Sequence, residues 1–256
     1  MPQKIFGARP GLKKADIGIR RVAGTYGKAA FLTYGGKLKG TIVVESEGER
    51  LVSQLLCIDP SVGNYHAQPL TIDILDGAIL RTSDEKAAAR ASHKARGVAT
   101  CFYTPDFLAV WCRGTEAAIE VKLDLYPGDA EYEQKLNRAR EVLWSHAIDF
   151  LQVVVPSYWR HPLLTNVPLI HQAALRTDLR PSAEAIGQIE RLAEGGATSL
   201  GDYCTGLGTD SRMGPVLIAF GALSVDLTVH DLNNSTPVSP AYGSLDHLSI
   251  LGRLAK

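Results

Sequence analysis

The sequence predicts an α/β protein in which a domain built on a mixed β-sheet is followed by a smaller helical, winged-helix-like domain. Two apolar runs on either side of Gly114 predict a β-hairpin, because a glycine between two strand-like runs marks a tight turn. A helical pattern precedes this hairpin at 46–58, and a helix and an apolar strand follow it at 129–155. We therefore expect the sheet domain at 45–158 and the helical domain at 163–256.

Length and composition indicate an ordinary globular protein. The chain has 256 residues, of which 45% are hydrophobic and 21% charged, enough for one large domain or two modest ones. The longest apolar run, at 216–223, is far shorter than the roughly 18 residues of a membrane span, and the N-terminus lacks a signal-peptide core. We therefore expect a cytoplasmic protein that does not bind membranes. The four cysteines form no Cys-x-x-Cys pair, so we expect buried thiols and neither a disulfide framework nor a zinc site.

Positive charge is concentrated in an N-terminal arm at 1–44, although the net charge of the whole chain is zero. A basic, glycine-rich arm can follow a phosphate backbone, and a solvated, loosely ordered terminus explains the same composition. Because the chain as a whole is neutral, tight binding to DNA by this protein alone is not expected. The arm has one acidic residue, Asp16, and these basic ones: Lys4, Arg9, Lys13, Lys14, Arg20, Arg21, Lys28, Lys37 and Lys39.

Three charged side chains of the hairpin are predicted to lie together. Glu120 and Lys122 are two residues apart and therefore share a face of the sheet. If the hairpin turns about Gly114, Asp106 lies opposite Lys122 and diagonal to Glu120, with about 5–8 Å between Cβ atoms. Two carboxylates this close require a compensating cation. A divalent metal bound by Asp106 and Glu120 would supply it, and Lys122 would be left to act on a water or a phosphate.

The helix predicted at 46–58 offers a third carboxylate. On a helical wheel Glu49 lies beside the buried stripe, which would direct it towards the sheet and the charged patch. Ser46 and Glu49 also have the spacing of a capping box, in which Glu49 would only bond back to the helix N-terminus. Both interpretations stay open. Gln68, just before a predicted strand, is a candidate supporting residue of the same site.

The order of these elements is that of a restriction-endonuclease-like core, the fold of PD-(D/E)xK nucleases. In such a core the carboxylates hold one or two Mg²⁺ ions, for which Mn²⁺ can substitute. The metal lowers the pKa of the attacking water and neutralises charge on the phosphate, while the lysine orients that water. The pattern therefore predicts a metal site of Glu49, Asp106 and Glu120, with Lys122 as the catalytic lysine and Gln68 in support.

Several segments of the sequence also resemble a known family. The most specific is Tyr103-Thr104-Pro105-Asp106-Phe107 with the preceding Gln68-Pro69-Leu70, and the others are Ser46-Glu47-Gly48-Glu49-Arg50, Asp59-Pro60-Ser61-Val62 and Glu120-Val121-Lys122. In order and spacing they resemble the TnsA endonuclease subunit of heteromeric cut-and-paste transposases. The resemblance covers about residues 40–155 and continues more weakly to about residue 238.

This resemblance implies a function and partners. In that family the nuclease subunit cuts the 5′ ends of the transposon in double-stranded DNA, a DDE recombinase cuts and joins the 3′ ends, and an AAA+ ATPase regulates both. Glu49 and Asp106 match the family's metal-binding acids and Lys122 its catalytic lysine, whereas Glu120 stands where the best-studied member has glutamine. The C-terminal domain would contact the ATPase. The alternatives are a stand-alone restriction-like or repair nuclease and a non-catalytic DNA-binding assembly subunit of the same fold.

Three regions outside this core have open roles. The basic insertion at 83–97 is either a short helix near DNA or a solvated loop. The helix predicted at 211–223, the second of a helix-turn-helix pattern, carries one basic residue, so we expect a buried core helix or a protein-binding surface there in place of base contacts. A strand is predicted at 224–229. The tail at 233–256 is either an extended docking segment or disordered.

Overall fold

The structure, a computed structural model, describes residues 31–38, 40–126 and 128–255. These residues form an α/β fold with a mixed sheet, as the sequence predicts, and they include eight α-helices. The strands are β1 (Phe31–Gly35), β2 (Gly40–Val44), β3 (Val62–Ala67), β4 (Thr71–Asp73), β5 (Ala78–Leu80), β6 (Phe102–Tyr103), β7 (Phe107–Trp111), β8 (Glu116–Leu123), β9 (Ile148–Val155), β10 (Leu223–Ser224) and β11 (Ser239–Pro240). The helices are α1 (Glu47–Ile58), α2 (Ser83–Ala95), α3 (Ala130–Ser145), α4 (Pro162–Ala174), α5 (Ala183–Glu194), α6 (Leu200–Gly206), α7 (Gly214–Ala219) and α8 (Leu251–Leu254).

The central sheet of the described residues has the strand order β3-β7-β8-β9. Its first three strands are antiparallel, and β9 pairs in parallel with β8 after the crossover through α3. Both faces are covered. Phe107 and Ile119 pack into the hydrophobic cluster that contains α1, whereas Leu108 and Ala118 pack with α3. Polar groups of the sheet can therefore reach solvent mainly at its edges and ends.

The β7–β8 hairpin has a different register from the one predicted. Phe107 pairs with Ile119, which brings Asp106 level with Glu120 and not with Lys122. The cause lies in the turn, where Gly114 has a φ of 88° and donates its N–H to the carbonyl of Trp111. The prediction placed Gly114 at the centre of the turn, whereas in the structure this left-handed glycine is near its end. The centre of the turn therefore lies one residue earlier in the chain. The error of two residues across the hairpin preserves the side-chain faces, because the strand period is two.

The predicted basic insertion at 83–97 is ordered as α2. Thr82 and Glu85 form a capping box, in which the Thr82 hydroxyl accepts from the Glu85 N–H and the Glu85 carboxylate accepts from the Thr82 N–H. Beside α2 lies a second sheet with the strand order β5-β4-β6. Of the two interpretations of this insertion, the structure therefore has the helix.

Part of the predicted N-terminal arm belongs to the fold. Strands β1 and β2, within the predicted arm, form an antiparallel hairpin that packs on α1. Lys37 donates from Nζ to the carbonyl oxygens of Leu56 and Asp59 at the end of α1. Burial lowers the pKa of Lys37. Lys37 therefore caps a helix C-terminus, and the basic residues at 1–30 lie outside the described residues.

The C-terminal region differs from its prediction in detail. Helix α7 is shorter than predicted and almost wholly buried, and the predicted strand at 224–229 is reduced to the two-residue β10. The tail at 233–256 is neither extended nor disordered over its described part, because β11 and α8 pack against the rest of the chain and Ile250 and Leu251 are buried. A continuous hydrophobic cluster joins α1 to α4, α7 and α8. The division of the chain into two domains remains a prediction.

The prediction of buried thiols is correct for one cysteine. All four cysteines are free, as expected, but only Cys204 is buried. Cys57 occupies the last turn of α1 and Cys101 precedes β6, where both are half-buried, and Cys112 is exposed in the turn between β7 and β8. The sequence shows Cys57, Cys101 and Cys112 next to apolar runs, which suggested burial. It does not show that these three cysteines lie at the ends of helices and strands, where side chains are more exposed.

Candidate metal centre

Three carboxylates influence one another where the hairpin β7–β8 meets the N-terminus of α1, although their oxygens do not all lie within 4.8 Å of one another. Asp106 lies just before β7, and its Oδ2 accepts a hydrogen bond from the Val121 N–H at 2.8 Å. Burial raises the pKa of Asp106 well above its ordinary value, and the negative charges of Glu120 and Glu49 raise it further. Glu49 responds in the same direction, because burial and the charges of Glu45 and Glu120 raise its pKa. The structure thus brings the predicted carboxylates of Glu49, Asp106 and Glu120 within electrostatic reach of one another.

Glu120 is held by three donors. Its Oε2 accepts from the Tyr103 hydroxyl at 2.7 Å, and its Oε1 accepts from the Tyr132 hydroxyl at 2.5 Å. Lys122 places Nζ 3.2 Å from the same Oε1 and 3.8 Å from the centroid of the Tyr132 ring. The pKa values of both tyrosines are raised, by burial and by the adjacent carboxylate, so the phenols keep their protons and donate. Glu120 is therefore a fixed carboxylate with Lys122 at its side.

Glu49 caps the N-terminus of α1, and its role as a metal ligand remains a prediction. Its Oε2 accepts from the Glu45 N–H at 2.8 Å and its Oε1 from the Ser46 hydroxyl at 2.9 Å. The capping partner is therefore the N–H of Glu45 in place of the expected N–H of Ser46. Gly48 lets this turn approach the sheet, because a Cβ at position 48 would lie 3.2 Å from a methyl of Val155. The first turn of α1 consequently carries the Glu49 carboxylate to the end of the hairpin.

Gln68 lies beside Asp106 and carries an unsatisfied oxygen. Its N–H donates to the carbonyl of Asp106 at 2.9 Å, in a backbone conformation with φ of 45° that is uncommon for a non-glycine residue. The side-chain Nε2 donates to Oε1 of Glu45 at 3.0 Å. The side-chain Oε1 is buried and has no hydrogen-bond partner. Buried polar atoms are nearly always bonded, so an orphaned acceptor here is a place for an absent donor or cation.

Glu45 is a site residue that the sequence analysis missed. Its backbone N–H supports Glu49 and its carboxylate accepts from Gln68, which lies 23 positions away in the chain. The only local signal was its position just before a helix N-cap, where an acidic residue is common for reasons unrelated to a site. Its role follows from the approach of β3 to α1, which no local pattern reveals.

These residues fit a hard divalent cation. Mg²⁺ prefers oxygen ligands, and this centre offers carboxylates together with the orphaned amide oxygen of Gln68. Burial is the main cause of the raised pKa of Asp106, and the carboxylate repulsion that adds to it is the kind that a bound cation relieves. The oxygens of Asp106, Glu120 and Glu49 are not all within 4.8 Å of one another, so these side chains would have to move closer together to hold such an ion, with Gln68 at its border.

A second group of possible ligands lies outside the predicted site. Nε2 of His93 on α2 lies 3.0 Å from Oδ2 of Asp73 and 3.1 Å from Oδ2 of Asp76. These three residues could hold a metal ion. Arg96 lies against the same Asp76, with its NH2 2.6 Å from Oδ2, so a cation is already present at the exposed end of the group. Through these contacts His93 attaches α2 to the end of β4 and to the turn between β4 and β5.

Two comparisons with known proteins found no match. The sequence matches no protein-family model and no curated protein. None of the helices in the described ranges is long and apolar enough to cross a membrane. The similarity to the TnsA subunit therefore remains a prediction, and function has to be argued from the residues of the centre.

Proposed function

We propose that this protein is a Mg²⁺-dependent DNA endonuclease with a PD-(D/E)xK core, and that it cuts the 5′ ends of a transposon together with a DDE recombinase. The observation that carries the proposal is the arrangement around the β7–β8 hairpin. Asp106, just before β7, lies level with Glu120 of β8, Lys122 pairs with Glu120, and Glu49 approaches from α1. Two or three carboxylates with a neighbouring lysine are the groups that metal-assisted phosphodiester hydrolysis requires.

Each side chain has a role in this proposal. Bound Mg²⁺ would supply a water of lowered pKa and neutralise charge on the phosphate. Lys122, with only 15% of its side chain exposed, keeps its Nζ at the centre, where it would donate to a phosphate oxygen or orient the water. The hydroxyls of Tyr103 and Tyr132 keep Glu120 in one position. Gln68, which joins the Asp106 backbone to Glu45, would orient the neighbouring acids.

The involvement of partners is supported by what the C-terminal region lacks. Helix α7, the expected recognition helix, is buried and offers no side chain for base contacts. Together with a net charge of zero, this favours a nuclease that finds its DNA through other subunits. We therefore propose that the region from α4 onwards binds an AAA+ ATPase, as the similarity to the TnsA subunit implies.

The test is cleavage of transposon-end DNA by the purified chain with its recombinase partner and Mg²⁺. We expect nicks at the 5′ ends that disappear in Asp106→Ala and persist in Asp149→Ala, a matched change at an exposed aspartate of β9. Equal rates for the Asp106→Ala variant and the unaltered chain would refute the catalytic assignment. Degradation of unrelated duplexes by the chain alone would favour a stand-alone restriction-like or repair nuclease.

A further inference from the structure

A polar cleft of about 850 Å³ lies between α2 and α3. Lys86 and Arg90, one helical turn apart on α2, line one wall, and Lys135 of α3 lines the other. A second cleft of about 450 Å³ shares Lys135 and continues to Arg138. We refer to these two neighbouring spaces, which share lining residues and carry Lys86, Arg90, Lys135 and Arg138, as the basic cleft.

Three cations of the basic cleft, Arg90, Lys135 and Arg138, are available to a ligand. Among the described residues neither Lys135 nor Arg138 forms an ion pair, and Arg90 is exposed, with its guanidinium 5.9 Å from the ring centroid of Phe102. The acidic residues that line the two spaces are Glu131 and Asp129, so positive charge is in excess. A cleft lined mainly by one sign of charge concentrates its field and attracts ligands of the opposite sign.

The wall formed by α2 is held in place. His93 contacts the carboxylates of Asp73 and Asp76, and the capping box fixes the other end of the helix. The position of Lys86 is set by a hydrogen bond from its Nζ to the hydroxyl of Thr71 at 3.0 Å. The basic side chains of α2 are therefore presented by a fixed helix, which limits the conformational entropy lost on binding.

The basic cleft leads to the metal centre. Tyr132 lines both of its spaces and donates its hydroxyl to Glu120. Tyr103, which lines the larger space, bonds the other oxygen of the same carboxylate. A chain of phosphates in the cleft would thus be separated from Glu120 only by these two tyrosines.

We propose that the basic cleft binds the DNA phosphate backbone next to the cleaved bond, with Arg90 and Lys135 as the principal contacts. The proposal rests on the proposed nuclease function and assigns a role to the insertion that forms α2. It also explains how a chain with zero net charge could bind DNA, because the positive charge needed for binding would be concentrated in the basic cleft.

The test measures DNA binding without cleavage, in Asp106→Asn protein free of divalent metal. Fluorescence anisotropy with a labelled duplex gives the dependence of the binding constant on salt between about 50 and 200 mM. We expect the pair of changes Arg90→Gln and Lys135→Gln to reduce the slope of log K against log salt by about 0.9 per contact, or roughly two in all. The control pair, Arg113→Gln and Arg212→Gln, removes the same charge from exposed positions outside the cleft and should leave the slope unchanged.

The outcomes separate this proposal from the nuclease assignment. Equal slopes for the cleft pair and the control pair, or no binding by the Asp106→Asn parent at low salt, would overturn the cleft proposal even if Mg²⁺-dependent cleavage were observed. A reduced slope for the cleft pair alone would support it, including the case in which the unaltered chain failed to cut DNA. The N-terminal arm has the same charge in every variant, so its contribution to the slope cancels when the two pairs are compared.

Discussion

The hydroxyl of Tyr132 lies 2.5 Å from Oε1 of Glu120, and the ring of the same tyrosine lies 3.8 Å from Nζ of Lys122. One side chain of α3 thus fixes both charged residues of the Glu-x-Lys pair on β8. Because α3 connects β8 to β9, the position of this tyrosine depends on the crossover connection, and the hairpin alone does not determine it.

Tyr132→Phe isolates the hydroxyl, because the ring beneath Lys122 remains. We expect weaker Mg²⁺ binding and a loss of DNA cleavage of about 10- to 100-fold, the usual effect of removing a group that orients a metal ligand. The measurement is the cleavage rate as a function of Mg²⁺ concentration. Tyr126→Phe, at a tyrosine that is 68% exposed, is the control. Identical Mg²⁺ dependence in Tyr132→Phe and the control would contradict this role.

Asp106→Asn should stabilise the metal-free chain while abolishing its response to Mg²⁺. The pKa of Asp106 is raised, so the native state holds this proton more tightly than the unfolded state, and the free energy of unfolding falls as pH rises through the raised pKa. The amide of the variant does not titrate, so its free energy of unfolding lacks this dependence on pH. Above the raised pKa we expect the free energy of unfolding of the variant to exceed that of the unaltered chain by about 0.5–2 kcal/mol.

The measurement for Asp106→Asn is urea unfolding at several pH values, with Mg²⁺ and with EDTA. Mg²⁺ at 100 times its Kd should stabilise the unaltered chain by about 2.7 kcal/mol and leave the variant unchanged. A variant that is less stable than the parent at neutral pH in EDTA would show that the Asp106 charge has a stabilising partner.

His93→Ala should release α2 from the second sheet. The change leaves Asp73, which is 1% exposed, without its imidazole partner, and breaking a buried pair in this way costs about 3–5 kcal/mol. Hydrogen exchange should accelerate across α2, whereas the exposed neighbouring change Lys94→Ala should have little effect. If EDTA accelerated hydrogen exchange across α2 to the same extent in the unaltered chain, a bound metal ion would be what holds His93 to Asp73 and Asp76.

Asn166→Ala should destabilise the C-terminal region. This fully buried side chain of α4 donates from Nδ2 to the carbonyls of Leu227 and His230 at 2.9 and 2.8 Å, and its Oδ1 accepts from the Leu232 N–H. Removing it leaves buried backbone groups unpaired at about 1–3 kcal/mol each, so we expect a loss of at least about 3 kcal/mol by urea denaturation. Asn137→Ala, at an exposed position of α3, serves as the control, and a similar loss there would refute the argument.

The elements that local pattern describes well were predictable. Helix α1 begins at the expected N-cap, Ser46, and α3 ends within one residue of its predicted limits, because an amphipathic stripe and a capping side chain are both encoded within a few residues. The same-face relationship of Glu120 and Lys122 was predictable for a similar reason, since it depends only on the strand period.

Features that depend on approach between distant segments were not predictable. Predicting the hairpin register would have required knowing that Gly114 adopts a left-handed conformation. Glycine can adopt this conformation but does not have to. Glu45 meets Gln68 only because β3 passes the N-terminus of α1. The contact of His93 with Asp73 links an insertion to a separate sheet, and neither residue belongs to a recognisable motif.

The hydrophobic cluster that runs from α1 into α4 and α7 has a practical consequence for handling the protein. Trp159, in the connector before α4, is 70% exposed and offers a protease an accessible cutting point. A single cut there would leave two fragments that still cover each other's apolar faces, so the nicked protein should co-purify as one particle. Neither fragment would be expected to stay in solution when expressed on its own.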